Sequence, residues 1–149
     1  MIPSTYSEWC KVFDEIEMWE IGHCEELLIQ NCESGSIEWL DGIAQRITIR
    51  LVDLINNRLK KLNEFYNKRI TLAFNPFDTT NLLIIYRKEL IFLKRLGGLN
   101  ILPDDIKTSI ITEIMNCAKK SQKSLDESAK QDLSGELKRI VLGYRIDNI

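Results

Sequence analysis

The chain has 149 residues, 44% of them hydrophobic and 28% charged, a composition that argues against a disordered or fibrous protein. At this length we expect one domain covering residues 1–149. The net charge of −2 conceals an uneven distribution: the first 45 residues hold ten carboxylates and one lysine, whereas the rest hold nineteen Lys or Arg and twelve Asp or Glu.

The first predicted helix begins after Thr5, because Glu8 lies three residues later and completes a capping box. Apolar residues then recur at helical spacing until Gly22. A shorter helix is predicted from His23 to about Asn31, followed by a turn at Glu33–Ser36.

One long amphipathic helix is predicted from Ile37 to about Phe74, since apolar residues recur there at helical spacing and the range contains no proline. At ~1.5 Å per residue it would extend for about 55 Å, so a kink or a break near Asn56–Asn57 is considered. The pair Asn75–Pro76 ends it, because a residue that precedes proline is disfavoured in helical geometry.

Two more helices and a short C-terminal one complete the chain. A cap at Asp78, Thr79 or Thr80 starts the first of them, and Gly97–Gly98 ends it. The second begins at Pro103 and runs to about Asp132. A break at Ser134–Gly135 precedes the last helix. No stretch shows the two-residue alternation of strands, so we predict an all-α, single-domain bundle of about five or six helices with one long central helix.

The N-terminus and the cysteines favour a cytoplasmic location. Residues Met1–Thr5 lack the basic and apolar regions of a secretory signal, and no apolar run reaches the length of about eighteen residues that a membrane span requires. Cys10, Cys24, Cys32 and Cys117 form no C-x-x-C pair. We therefore expect reduced, buried thiols and no membrane association.

The residues that commonly carry catalysis are sparse. His23 is the single histidine, so Glu20-x-x-His23 has no second copy with which to build a carboxylate-bridged metal site. Pairing of Cys117 with His23 across the bundle is conceivable but disfavoured, and no phosphate-binding glycine motif occurs. The chain is therefore interpreted as a non-enzyme with no catalytic residue, metal or cofactor, and no residue pattern identifies a family.

The leading hypothesis is a protein-binding module whose acidic and aromatic N-terminal segment grips a basic partner, in the manner of an immunity or antitoxin protein that occludes a toxin nuclease. The predicted partner-binding face consists of Asp14, Glu17, Glu20, Glu25, Glu26, Glu33, Glu38, Trp39 and Asp41. The comparison with immunity and antitoxin proteins is an analogy based on surface character, not on a sequence motif.

Three alternatives concern the long helix. Its basic face could bind nucleic acid or serve a regulatory role, although a pI of about 5.5 disfavours nucleic acid. It could instead lie against the acidic segment and neutralise it, or the acidic segment of one copy could meet the basic surface of another in a homo-oligomer. The basic face consists of Arg46, Arg50, Arg58, Lys61 and Lys68.

Overall fold

A computed structural model describes residues 5–23, 41–70, 76–99, 102–132 and 135–149, and only the backbone of 41–44 and 76. The described residues form five helices and no strand: α1 (Tyr6–Met18), α2 (Asp41–Ile70), α3 (Pro76–Gly97), α4 (Asp104–Lys130) and α5 (Glu136–Gly143). The prediction of an all-α bundle with one long central helix is confirmed.

The helices pack in a connected series. α1 lies on α2, α2 on α3, and α3 also contacts α4 and α5, which contact each other. Each helix turns an apolar stripe inward, for example Trp9, Phe13 and Ile16 of α1, and these stripes form a continuous core. None of the described helices combines the length and the apolarity that are needed to cross a bilayer.

Helix starts follow local chemistry in most cases. The Thr5 side chain accepts a hydrogen bond from the Glu8 backbone N–H at 3.2 Å, which confirms the predicted cap of α1. Pro103 precedes α4 as expected. α3 begins at Pro76, so the expected caps Asp78, Thr79 and Thr80 lie inside the helix and that prediction is wrong. Proline is tolerated in the first turn of a helix, because a backbone N–H at that position has no partner within the helix and its absence costs nothing.

Helix ends depend more on tertiary contacts. α1 ends at Met18, whereas apolar spacing alone extends it to Gly22. α2 runs without interruption through Asn56–Asn57 to Ile70, where the described residues of this segment stop. α3 ends at Gly97 as predicted, and α5 follows Gly135, whose φ of 73° suits glycine. The helix predicted at His23–Asn31 falls largely outside the described residues.

Candidate functional site

The outward surface of α1 carries Asp14 of the predicted partner-binding face, while Glu17 is half-buried on the same helix and Glu20 lies in the turn that follows. Because the apolar residues of α1 recur at helical spacing and point into the core, its charged residues lie on the opposite side. Met18 lies on that side as well, with 82% of its surface exposed. The exposed residues on this surface are Ser7, Glu8, Lys11, Asp14, Glu15 and Met18.

Arg50 of α2 forms ion pairs with two of the predicted carboxylates. Its two terminal nitrogens lie 2.7 Å from Asp14 Oδ1 and 2.7 Å from Glu17 Oε1. The side-chain amide of Asn57 also donates to Glu17 Oε1, at 3.4 Å. One guanidinium thus serves two carboxylates, which leaves this pair of acidic side chains with a net negative charge.

Glu20 forms no ion pair with any part of the chain that the structure describes, and neither does Glu15, which is not a member of the predicted face; both are exposed. The remaining members of the predicted face, Glu25, Glu26, Glu33, Glu38 and Trp39, lie outside the described residues. Asp41 is the first residue of α2, and its side chain is likewise not described.

Four of the five residues of the basic face of α2 contact α1 or the turn after it. The Arg46 guanidinium lies 4.1 Å from the ring centre of Tyr6, and Arg50 binds Asp14 and Glu17. The Lys61 ammonium donates to the backbone carbonyl of Trp19 at 3.0 Å.

Arg58 is the fourth residue of the basic face that contacts α1, and it donates to backbone carbonyls at the end of that helix. Lys68, the fifth residue of the face, is exposed. The basic residues of α2 therefore hold α1 in place, which is the internal role considered among the alternatives.

A buried ion pair between Arg58 and Glu89 joins three parts of the fold. The guanidinium binds both carboxylate oxygens at 2.7–2.8 Å, and both side chains are almost fully buried. Arg58 also donates to the carbonyls of Ile16, Trp19 and Glu20, while the Gly22 N–H donates to Glu89 Oε2 at 3.0 Å.

The pair thereby fixes the end of α1 and the following turn to α2 and α3. Burial raises the pKa of the Glu89 carboxyl, and the adjacent Arg58 charge and the Gly22 N–H oppose that rise. Sequence reasoning placed Arg58 on an outward basic face and did not single out Glu89. The available signal was that each residue interrupts an apolar stripe at a position that faces the core.

A groove of about 810 Å³ lies between the turn after α1, α2 and α3. Its charged lining is balanced, with three basic side chains and three acidic ones. Four apolar side chains and the polar Asn81 form the rest of the lining. The charged residues are Lys61, Lys68, Arg69, Glu20, Glu64 and Asp78.

The chemical groups weighed for catalysis lie apart. His23 is exposed and packs its ring edge-on against Trp19 at 4.8 Å. Cys117 instead donates to Asn63 Oδ1 at 3.1 Å and lies 3.3 Å from the Tyr86 hydroxyl. Within the described residues, no three His, Cys, Asp or Glu side chains are grouped closely enough to hold a metal ion.

Comparison with known proteins found no matching family model, no matching curated protein and no matching solved structure.

Proposed function

We propose that this protein is a non-enzymatic binding module that engages a basic partner protein through the outward surface of α1 and the turn after it. The single observation that supports the proposal is that Glu15, Met18 and Glu20, which lie close together in the chain at the end of α1, are all exposed. Carboxylates steer a cationic partner into contact, and a flexible methionine supplies apolar contact area once the surfaces meet.

The neighbouring cations only partly offset this charge. Arg58 is neutralised by Glu89, whereas Lys61 donates to the backbone carbonyl of Trp19 and keeps its charge. Arg50 is shared between two acidic side chains. The surface therefore retains negative potential even though α2 packs against α1.

The most concrete form of the proposal is an immunity or antitoxin protein of the cytoplasm that occludes a toxin nuclease. A nuclease needs Lys and Arg to hold the phosphates of its substrate, and an acidic surface is complementary to such a site. This form of the proposal depends on surface character alone.

The test is a charge reversal that spares the contacts holding α1. The double variant Glu15→Lys/Glu20→Lys changes carboxylates that form no ion pair with described residues. We expect association with the partner isolated by copurification from the native host to slow by at least about tenfold at low salt, because steering depends on the opposite charge. Stopped-flow or surface plasmon resonance measures the rate constant.

Glu113→Lys/Glu127→Lys is the matched control, since it makes the same charge change at exposed positions of α4. Circular dichroism should show an unchanged helical signal for both double variants. Equal association rates for the two double variants would show that net charge, and not the α1 surface, governs binding. An unaltered rate for Glu15→Lys/Glu20→Lys would rule out the proposed surface.

A further inference from the structure

A second groove, of about 400 Å³, lies between α3 and the C-terminal residues that follow α5. All the charged side chains that line it are basic, although the whole chain has a net charge of −2. Its lining includes Ile84, Arg87 and Lys88 from α3, and Gly143, Tyr144 and Arg145 from the C-terminal end.

Arg87 provides the uncompensated charge of this groove. Its Nε donates to the side-chain oxygen of Asn148 at 3.2 Å, and this neutral partner orients the guanidinium without cancelling its charge. In contrast, Arg145 is paired with Asp147 at 2.9 Å and with Asp126 at 3.6 Å. The two terminal nitrogens of Arg87 make no hydrogen bond within the described part of the chain, so they can bind a carboxylate with both oxygens.

Apolar surface lies beside this charge. Ile84 is 37% exposed and Tyr144 is 42% exposed, and both line the same groove. A ligand that fits must therefore bring an anion and an apolar group close together. The volume is near the lower end of the range of about 300–1,000 Å³ found for small-ligand sites, which suits a short extended segment better than a whole helix.

We propose that this groove binds a short acidic peptide segment of a partner protein, with one carboxylate on Arg87 and an adjacent apolar side chain against Ile84 and Tyr144. A peptide is favoured over nucleic acid because the groove offers one uncompensated arginine beside apolar surface. A polyanion would need a row of cations and would meet a chain whose pI is about 5.5. This site lies on elements other than α1, and it is independent of the proposed acidic face.

The test uses the full chain and a fluorescein-labelled peptide, Gly-Glu-Leu-Asp-Phe-Glu-Gly, with blocked ends. Its counterpart in which Gln and Asn replace the acids is the neutral control peptide. Fluorescence anisotropy should show that the acidic peptide binds and the neutral peptide does not. Arg87→Glu should weaken binding by at least about tenfold, because a charge-assisted hydrogen-bonded pair is replaced by repulsion.

Gly143→Trp provides a second variant that changes no charge. A Cβ at Gly143 meets no atom within 4 Å, so the indole can occupy the groove without a clash at the backbone. The same loss of at least about tenfold is expected from this steric block. Arg139→Glu is the matched control, because Arg139 is exposed on α5 and does not line the groove.

Three outcomes would overturn the proposal. These are failure of the acidic peptide to bind the unmodified chain, equal weakening by Arg139→Glu and Arg87→Glu, and preferential binding of single-stranded RNA at this groove. A second copy of this chain as the true occupant would appear in sedimentation velocity as self-association that Arg87→Glu abolishes, without peptide binding. Arg87→Gln replaces Arg87→Glu if thermal unfolding shows that the charge reversal impairs folding.

Discussion

At the scale of single residues, two buried tyrosines, Tyr66 and Tyr86, differ in whether their hydroxyl groups are hydrogen-bonded. The rings of Tyr66 and Tyr86 meet edge to face, with centres 4.9 Å apart. The Tyr86 hydroxyl lies 2.9 Å from Ser121 Oγ and 3.3 Å from Cys117 Sγ. The Tyr66 hydroxyl is buried and has no hydrogen-bond partner among the described residues. A buried hydroxyl without a partner destabilises a fold, whereas a paired one does not.

Replacing each tyrosine with phenylalanine should therefore have opposite effects. Tyr66→Phe removes an unpaired hydroxyl, and the free energy of unfolding should stay unchanged or rise by up to about 1 kcal/mol. Tyr86→Phe removes the bond to Ser121, and the free energy of unfolding should fall by about 1–2 kcal/mol. Urea denaturation followed by circular dichroism measures both. An equal loss of stability in the two variants would show that the Tyr66 hydroxyl has a partner.

At the scale of helices, the buried Arg58–Glu89 pair determines where α1 stops and how it docks. Three backbone carbonyls at the end of α1 and in the turn accept hydrogen bonds from one guanidinium. Gly22, with φ of 86°, completes the turn and donates to Glu89. A Cβ at Gly22 would come within 2.8 Å of Ile85 Cγ2, so the close approach of the turn to α3 also requires glycine.

Glu89→Gln should be strongly destabilising, because it leaves the guanidinium charge of Arg58 buried without its counter-ion. We expect a loss of about 3–5 kcal/mol in the free energy of unfolding. Arg50→Gln breaks ion pairs in which Asp14 is largely exposed, so a loss of less than about 1 kcal/mol is expected there.

Urea denaturation measures both losses, and hydrogen exchange of the Gly22 amide reports whether the turn is released in Glu89→Gln. Losses of similar size in the two variants would show that the buried pair does not anchor α1.

At the scale of the whole molecule, charge is distributed so that the two proposed surfaces have opposite sign. The acidic surface lies on α1 and its following turn, and the basic groove lies between α3 and the C-terminal residues. α2 lies between α1 and α3 in the series of helix contacts, and the turn after α1 contacts α3 through Gly22 and Glu89. Binding at one surface does not require the other, and one partner of mixed charge or two partners could be engaged.

The stability of the whole molecule at high pH should depend on the buried tyrosines. Burial raises the pKa of Tyr66 to about 12 from 10.0, and burial also raises the pKa of Tyr86. The unfolded chain therefore releases these protons at lower pH than the folded chain. The contribution of Tyr66 to stability is complete below pH 10.0 and is lost as the pH rises towards about 12, and that of Tyr86 also begins to decline above pH 10.0.

Chemical denaturation at a series of alkaline pH values should show this decline. Tyr66→Phe should make the decline shallower than in the unmodified chain, because one of the two groups no longer titrates. An identical slope for the two proteins would contradict the raised pKa of Tyr66.

Much of the fold is predictable from local patterns. The start of α1 at Thr5, the end of α3 at Gly97, the start of α4 after Pro103 and the all-α class each depend on residues close together in the chain. Capping, proline geometry and helical periodicity act over a few residues, so the amino-acid order contains the information directly.

The candidate sites depend on contacts between distant residues. Arg58 and Glu89 are 31 positions apart, and only the packing of α2 against α3 turns two apparent surface charges into a buried ion pair. The same packing assigns Arg50 to Asp14 and Glu17 and leaves Glu15 exposed. Sequence alone established the helical class and the uneven distribution of charge. Tertiary structure decided which charged side chains form ion pairs within the fold and which remain unpaired on its surface, because the pairing of two charges depends on their distance in space.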